Sequence, residues 1–576
     1  MAGFSGVIYK TEKYKDAINE LLPIKSRHDN GLETRFVSGD SFYIQQVYNQ
    51  KFLNDKVLHS DADCVIGLEG VIFNLNELKQ ASGYTSAFDV LKWLFINYND
   101  KFVARLRGDF SGFIFDKKTN IWFVFTNHTG AKRIFHYQNK DVLIFASELQ
   151  SVSKILKSIG IVCTLNKYAA YSILTNGFML NHETYLEGVE RLLPGTLMQY
   201  GDGKMHLTQY FHLSMVERNR DSHAAVIDNV DNLFRQAIQR EFEKDKEYGY
   251  DHIATLSGGL DSRMTVLMAH KMGYHRQLNF TFSQANYLDE QIAKQIAIDH
   301  QHEFLFQSLD NGNYLSPIDE IVSYNDGLII YAGSAHMYKS CRNMNFNPYG
   351  IVHTGLIGDA VLGSFLSKPQ IVKPELSASV YSSKLLAKAT PYIHKVQSDY
   401  SSEELYKFYG RGFSGAMNGN YYLDVFTQSA SPFLDLDFLS YCYSIPENLK
   451  FKQKIYIDWI ELRNKEFARY PWEKTGVSPL KSLNNKKYFD LAYYKRMSLK
   501  FFDKIAGQQK SGMNPFDYWL TNNKALADTI NSYFHDNIER VNEDELRNDC
   551  IWLYQNGNWG ERFQVVTLLA ALKLHF

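Results

Sequence analysis

The hexapeptide Ser257-Gly258-Gly259-Leu260-Asp261-Ser262 combines residue types that could hold a phosphate chain. The apolar run 253–256 precedes it and predicts a buried strand, and the pattern of residues 264–272 predicts a helix. Two adjacent glycines let the backbone approach a ligand closely, and a helix N-terminus offers N–H groups to an anion. Asp261 could hold Mg²⁺, because this ion is usually bound by one or two carboxylates together with phosphates. The stretch therefore predicts a nucleotide pyrophosphate site rather than an ordinary strand-to-helix turn.

The residues after the hexapeptide predict the sheet that would position it. Residues 277–283 form a second apolar run typical of a buried strand, and Asp289 and Glu290 begin a helical pattern. The acidic pair suits the positive end of a helix dipole, so simple capping and a role near a nucleotide both remain open. Strands that alternate with helices predict a doubly wound parallel sheet, with ligands outside the carboxyl ends of its strands.

The first two hundred residues show a different pattern, in which turn residues separate short apolar runs. The runs are 42–47, 64–68, 71–74, 110–115, 122–125 and 142–146. With helical patterns at 13–22 and 87–98, they predict an α+β domain built on a sandwich of antiparallel strands. The composition turns polar at 203–219 and a long helical pattern begins near Ala224, so we predict domains at 1–210 and 211–576.

Length and composition limit the class of protein. A chain of 576 residues should form at least two domains, because single cores stop growing near ~250–300 residues. A hydrophobic content of 45% with 22% charged residues is that of an ordinary globular protein, and a net charge of −1 gives no footprint for nucleic acid. Without a signal pattern or an apolar run of ~18 residues, we expect a cytoplasmic enzyme with no membrane partner. The five scattered cysteines predict neither a zinc site nor a disulfide framework.

The hexapeptide resembles the pyrophosphate loop of ATP pyrophosphatases, in particular those of the asparagine synthetase family. The Gly-x4-Gly-Lys-Ser/Thr pattern of kinases and GTPases is absent. A later stretch, Thr354-Gly355-Leu356-Ile357-Gly358-Asp359, resembles the family's second conserved loop, and Ser431-Pro432-Phe433-Leu434-Asp435 matches a family Pro-Phe-Leu-Asp signature. The resemblance therefore covers the predicted C-terminal domain, with ATP and Mg²⁺ as the implied cofactors.

The resemblance also implies a role for individual residues. Asp359 would be the second Mg²⁺ carboxylate, facing Asp261 across the pyrophosphate, although Ala360 stands where the family has a glutamate. Lys510 would be the catalytic lysine, which contacts the α-phosphate and the acyl intermediate. Lys454 and Lys481 remain open as its counterpart, as does a merely solvated Lys510. The residues expected to bind the nucleotide are Leu256, Ser257, Gly258, Gly259, Asp261, Ser262, Phe282 and Gly355.

The N-terminal half resembles the glutaminase domain of the same family, an N-terminal-nucleophile hydrolase fold. The matching segments are 68–78, 107–113, 145–148 and 192–195. Four positions that should hydrolyse glutamine differ: Ala2 replaces the nucleophilic cysteine, Glu69 an asparagine, Val71 a glutamate and Asn127 an aspartate. A methyl group cannot attack a carbonyl, and a carboxylate would repel an oxyanion. We therefore expect no glutaminase activity, and a domain kept as a structural partner or interaction surface.

The resemblance implies that a carboxylate is adenylated and then passed to an amine. Leu356 and Gln428 occupy positions where asparagine and β-lactam synthetases have acidic or tyrosine side chains, and neither can act as a base. We predict an ATP-dependent, AMP- and pyrophosphate-forming amide ligase or cyclase, similar to β-lactam synthetases and lasso-peptide cyclases. Its partners would be a small-molecule or peptide carboxylate and an amine from a source other than glutamine. An adenylating enzyme with a non-amide product and a non-catalytic protein remain alternatives, and the oligomeric state is left open.

Overall fold

We analysed a computed structural model that describes residues 2–24, 31–483, 490–491, 493–498 and 512–576. The strands are β1 Gly3–Tyr9, β2 Glu33–Gly39, β3 Phe42–Tyr48, β4 Val57–Ser60, β5 Cys64–Ile72, β6 Gly108–Asp116, β7 Ile121–Thr126, β8 Phe135–Gln138, β9 Val142–Ala146, β10 Val189–Arg191, β11 Thr196–Gly201, β12 Lys204–Gln209, β13 Asp251–Thr255, β14 Gln277–Ser283, β15 Glu303–Ser308, β16 Tyr349–His353 and β17 Ser429–Ala430. In the described part of the chain, none of the helices is both long and apolar enough to cross a membrane.

The α-helices vary from a single turn to 25 residues. They are α1 Glu12–Leu21, α2 Leu75–Ser82, α3 Ala87–Tyr98, α4 Leu149–Ser158, α5 Lys167–Asn176, α6 His223–Glu247, α7 Leu260–Lys271, α8 Leu288–Asp299, α9 Ile318–Asn325, α10 Ala332–Arg342, α11 Leu386–Ser398, α12 Glu403–Lys407, α13 Leu436–Ser444, α14 Glu447–Lys450, α15 Lys454–Arg463, α16 Pro479–Leu483, α17 Phe516–Asn522, α18 Lys524–Asn537, α19 Asp544–Asn556 and α20 Trp559–His575.

Strands β1 to β12 form two six-stranded antiparallel sheets, with strand orders β10-β8-β9-β1-β3-β2 and β12-β11-β7-β6-β5-β4. Phe4 and Ile44 of the first sheet and Phe113 and Val124 of the second share one buried core between the sheets. Helices α2 and α3 pack on the outer face of the second sheet, and α1 and α4 pack behind the first. The result is a sandwich of four layers: helix, sheet, sheet, helix. This arrangement confirms the predicted antiparallel sandwich.

One detail of the N-terminal prediction is wrong. The pattern predicts separate strands at residues 64–68 and 71–74, but β5 runs without a break from Cys64 to Ile72 beside β6. Gly70 makes this continuity possible, because its φ is +122° and a Cβ there would lie 2.1 Å from the carbonyl oxygen of Asp109. The glycine that indicates a turn in the sequence therefore permits a close approach of two strands.

Strands β13 to β17 form a five-stranded parallel sheet in the order β15-β14-β13-β16-β17. Helix α6 buries Val226, Val230, Phe234, Ala237 and Ile238, whose spacing places them on one face. The helix also contacts β13 and β16, where Phe242 stacks on His353 with ring centroids 3.7 Å apart. Helices α7 and α8 pack on β13, β14 and β15. The doubly wound parallel sheet predicted from the sequence is confirmed, with β13 at its centre.

Candidate functional site

The hexapeptide connects the central strand β13 to helix α7. The Ser257 and Ser262 hydroxyls lie 3.0 Å apart, the Ser257 N–H donates to Ser262 Oγ, and the Gly259 N–H donates to Ser257 Oγ. Helix α7 begins at Leu260, four residues earlier than predicted, so Asp261 and Ser262 lie in its first turn. Gly259 has no side chain to cap the helix, and the first N–H groups of α7 are therefore available to an anion.

The two predicted metal ligands are brought together. The backbone N–H of Asp359 donates to Asp261 Oδ2 at 2.9 Å, and the Tyr456 hydroxyl donates to Asp261 Oδ1 at 3.0 Å. Burial, and after it the charge of Asp359, raise the pKa of Asp261 well above its usual range. A divalent cation shared by these carboxylates would remove that repulsion, and carboxylate oxygens are ligands that Mg²⁺ accepts. The donor set therefore fits Mg²⁺, although the metal role of both residues stays a prediction.

Gly355 explains how the loop after β16 comes so close to the loop after β13. A Cβ at Gly355 would lie 2.3 Å from the Ser262 nitrogen and 2.4 Å from the Asp261 carbonyl carbon. A Cβ at Gly358 would lie 2.8 Å from Asp261 Cγ. Because these neighbours belong largely to backbone in a buried turn, a larger residue at position 355 would push the two loops apart.

The two loops and α10 enclose a cleft of about 310 Å³, a volume in the range of small-molecule sites. Phe282 forms one wall beside His336, with ring centroids 4.6 Å apart. The predicted nucleotide-binding residues that line the cleft are Leu256, Ser257, Gly259, Asp261, Ser262, Phe282 and Gly355. Gly258 does not line the cleft; its N–H donates to Asp289 Oδ1 at 2.8 Å. Seven of the eight predicted nucleotide-binding residues therefore lie on one concave surface, and Asp359 is not among the described residues that line it.

Three residues of this site have no assigned role in the sequence prediction. Asp289, left open between capping and a nucleotide role, bonds Gly258 and lines the cleft, and burial together with Glu473 raises its pKa to about 6. His336 lines the cleft, and burial lowers its pKa to about 4. Tyr456 is separated from Asp261 by 195 positions, and no local pattern marks it. Of these three residues, only Asp289 could have been recognised in the sequence, because it lies at the start of a predicted helix.

The predicted catalytic lysine, Lys510, lies outside the residues that the structure describes. Its two alternatives are described: Lys454 is exposed, and Lys481 forms an ion pair of 3.0 Å with Asp490. Neither is among the described residues that line the cleft. Leu356 does line it, so an apolar side chain stands where the related synthetases have an acid or a tyrosine. Gln428 is buried.

The four altered glutaminase positions are all engaged inside the protein. Glu69 lies 3.2 Å from Lys56 Nζ and accepts a hydrogen bond from Gln46. The Asn127 amide donates to the Gly108 carbonyl and accepts from the Ala131 N–H. Val71 packs in a small core with Ile351 and Ala430 of the parallel-sheet region. Ala2 is 5% exposed. These contacts make the positions part of the packed interior.

The two halves of the chain match two family models in the same order. Residues 54–211 match a glutamine amidotransferase domain, and residues 229–406 match an asparagine synthase domain. The fold class is thus an Ntn-hydrolase-like sandwich followed by a parallel-sheet α/β region, as predicted. The chain is asparagine synthetase-like and distantly homologous to asparagine synthetases. The domain boundary at 210/211 stays a prediction.

Two curated relatives show how distant this homology is. An "Asparagine synthetase [glutamine-hydrolyzing] 3" of Bacillus subtilis is 24% identical over 208 residues, which are 35% of this chain and 33% of that protein. A "Putative asparagine synthetase [glutamine-hydrolyzing] 2" of Methanocaldococcus jannaschii is 23% identical over 328 residues, or 54% of this chain and 62% of that protein. The matched part of the chain thus spans a third to about three-fifths of these relatives.

Among solved structures the similarity is weak. The allosteric regulatory enzyme of purine biosynthesis matches with 10% identity and a TM-score of 0.26, over 53% of this chain and 80% of that one. The glutamine phosphoribosylpyrophosphate amidotransferase of B. subtilis matches with 12% identity and a TM-score of 0.25, over 72% of this chain and 94% of that one.

Proposed function

We propose that the protein is an ATP-dependent amide ligase or cyclase that forms AMP and pyrophosphate and takes its amine from a source other than glutamine. The observation that carries this proposal is that Asp261, which lines a cleft of small-molecule size beside the open N-terminus of α7, is in direct contact with Asp359. A helix N-terminus suits phosphate oxygens, and paired carboxylates suit the divalent ion that accompanies them. The match to an asparagine synthase domain supports the same chemistry.

In the proposed reaction the substrate carboxylate attacks the α-phosphate of ATP, and pyrophosphate leaves toward residues 257–262. The Ser257 and Ser262 hydroxyls and the first N–H groups of α7 would bind the leaving pyrophosphate. Asp261 and Asp359 would hold Mg²⁺, which neutralises charge on the leaving group. An amine then attacks the acyl-adenylate, so that an amide and AMP form and the amine loses one proton. Leu356 cannot accept that proton, so it goes to another group or to the substrate.

Two observations support an amine source other than glutamine. Ala2 has no nucleophilic atom, and Glu69 is held by a buried ion pair with Lys56, where the resemblance places the oxyanion. The amine is then free ammonia, a second molecule, or an amine of the acylated substrate itself. The last case would close a ring.

Two measurements test the proposal. The first is the release of pyrophosphate from ATP in the presence of Mg²⁺ and each of a panel of carboxylic acids, and the second is calorimetry of ATP binding. We expect release with at least one acid, and a loss of at least about 100-fold in Asp359→Asn, since one charged contact to a reacting group contributes roughly 10²–10³-fold. Asp528→Asn, an exposed carboxylate of α18, is the matched control and should behave as the unaltered protein. A protein that binds no ATP and releases no pyrophosphate with any acid would refute the ligase assignment.

A further inference from the structure

We propose that His270, His275, His300 and His302 form a binding site for a divalent transition-metal ion of the zinc type, separate from the carboxylate pair. We call these residues the histidine cluster. They lie at the end of α7, before β14, after α8 and before β15. These positions lie at the amino ends of the parallel strands, whereas the nucleotide cleft lies at their carboxyl ends. Imidazole nitrogens suit Zn²⁺, Ni²⁺ and Cu²⁺ and are poor partners for Mg²⁺.

The spacing of the four rings is the first support for this site. His270 is central, with its ring centroid 4.5 Å from that of His275, 4.6 Å from His300 and 4.9 Å from His302. The His300 and His302 centroids lie 5.9 Å apart. Imidazoles bound tetrahedrally to one ion at the usual Zn–N distance have centroids roughly 5 Å apart. Three rings therefore surround His270 at about the spacing of imidazoles that share an ion, while no three of the four histidines yet place their ligand nitrogens within 4.8 Å of one another.

The nitrogen atoms give the second support. His270 Nδ1 lies 2.8 Å from His302 Nε2 and 3.5 Å from His275 Nδ1. Two ligand nitrogens of a tetrahedral zinc ion lie roughly 3.3 Å apart, so His270 and His302 need separate by only a few tenths of an ångström. The exposed His275 and the half-buried His300 must turn their rings inward, and side chains in contact with solvent change rotamer readily.

A neighbouring amide orients the most buried ligand. His302 Nδ1 lies 2.8 Å from Asn279 Oδ1, and this bond places the proton on Nδ1 and the lone pair on Nε2, toward His270. Histidine ligands of metals usually donate their second N–H to an oxygen in this way, which fixes the tautomer and the ring plane. Asn279 lies on β14 and is itself buried, so the orientation is rigid.

The cationic group beside the cluster is paired. Arg469 Nη2 lies 3.4 Å from His300 Nε2, which leaves Nδ1 as the ligand atom of His300, and Arg469 is paired with Asp299 at 3.1 Å. Because His302 Nε2 accepts, His270 Nδ1 carries the proton of their hydrogen bond, and this proton must move to His270 Nε2 before both facing nitrogens can bind one ion.

A second group with metal-like spacing has different chemistry. Asp245, His252 and His353 are buried together. However, Asp245 Oδ2 accepts hydrogen bonds of 2.8 Å from both imidazoles, and His353 also contacts Glu241. Burial lowers the pKa of His353, but Asp245 and Glu241 outweigh it and raise that pKa to about 9. These hydrogen bonds make the trio an internal polar network in this structure.

Zinc titration of the full-length, chelator-treated protein without a histidine tag tests the proposal. We expect one Zn²⁺ per chain in the presence of excess Mg²⁺, measured by competition with a chromophoric chelator, and a Co²⁺ derivative with the absorption of tetrahedral nitrogen ligation. The double variant His275→Ala/His300→Ala removes the two ligands whose rings have to turn. It should lose at least about 100-fold in zinc affinity, since even the partners behind ligands contribute 10- to 100-fold.

The controls separate this site from other zinc-binding groups. His394→Ala removes an exposed histidine of α11 and should leave zinc affinity unchanged. Asp359→Asn should also leave it unchanged, because the carboxylate pair is a different site. Equal zinc affinity in the double variant and the unaltered protein would overturn the proposal, as would an octahedral Co²⁺ spectrum or no retained zinc. Circular dichroism of each variant checks folding, and the Co²⁺ spectrum of the unaltered protein decides the question without any variant.

Discussion

At the scale of single residues, the N-terminal half carries packed side chains at the positions where the resemblance places the catalytic groups of a glutaminase. Lys56 and Glu69 form an ion pair whose side chains are 0% and 1% exposed. Such a pair is costly to create and costly to break, because each charge has left water and depends on the other. The pair therefore holds Glu69 in place inside the domain, which supports the proposed lack of glutamine hydrolysis.

A cysteine at position 2 should not restore glutamine hydrolysis. We expect Ala2→Cys to release no more glutamate from glutamine than the unaltered protein, because Glu69, Val71 and Asn127 still lack the groups that the resemblance requires. Glutamate release, measured by chromatography, checks this, and thiol labelling confirms that the new cysteine is present. Glutamate release by either protein above the rate with buffer alone would contradict the assignment of an inactive glutaminase site.

At the scale of elements, the strand–loop–helix unit was predictable because its chemistry is local. Strand β13, the loop and α7 follow one another in the sequence. The apolar pattern, the two glycines and the start of the helix therefore all indicate the same site. Tyr456 and His336 enter from α15 and α10, and only tertiary packing brings them to Asp261 and Phe282. Gly70 was not predictable in the same way, because the sequence alone does not distinguish a glycine within a continuous strand from a glycine in a turn.

The close approach of two loops makes Gly355 a sensitive element of the site. We expect Gly355→Ala to weaken ATP binding roughly tenfold or more, because overpacking costs about 1–3 kcal/mol and every 1.4 kcal/mol is tenfold in affinity. Gly410→Ala is the matched control, since a Cβ there would meet its nearest atoms at an ordinary 3.6 Å. Calorimetry of ATP binding with Mg²⁺ measures both. Unchanged affinity in Gly355→Ala would show that the two loops do not jointly form the nucleotide site.

At the scale of the whole molecule, the strand-rich half and the parallel-sheet half share buried polar contacts. Lys132 and Asp424 form an ion pair of 2.6 Å with both side chains 8% exposed, and Arg133 lies 3.5 Å from Asp326. Lys51 Nζ donates to the carbonyls of Asn347 and Tyr349, beside β16. Charges buried across a boundary make separation of the two halves unfavourable. On the proposal that glutamine is not hydrolysed, these contacts give a physical reason to retain the N-terminal half, because it supports the sheet that bears the candidate site.

Breaking the Lys132–Asp424 pair should destabilise the entire protein. We expect Lys132→Met to lower the free energy of unfolding by about 3–5 kcal/mol, because Asp424 is left buried without its partner. The double variant Lys132→Met/Asp424→Leu should recover part of this loss, since Asp424 is then no longer buried without its partner. Lys246→Met, which breaks an exposed pair with Glu243, is the control and should cost less than about 1 kcal/mol. Urea unfolding followed by circular dichroism and tryptophan fluorescence measures all three, and a shared transition in both signals is expected if the halves unfold together. A Lys132→Met variant as stable as the Lys246→Met control would mean that the pair contributes nothing to holding the halves together.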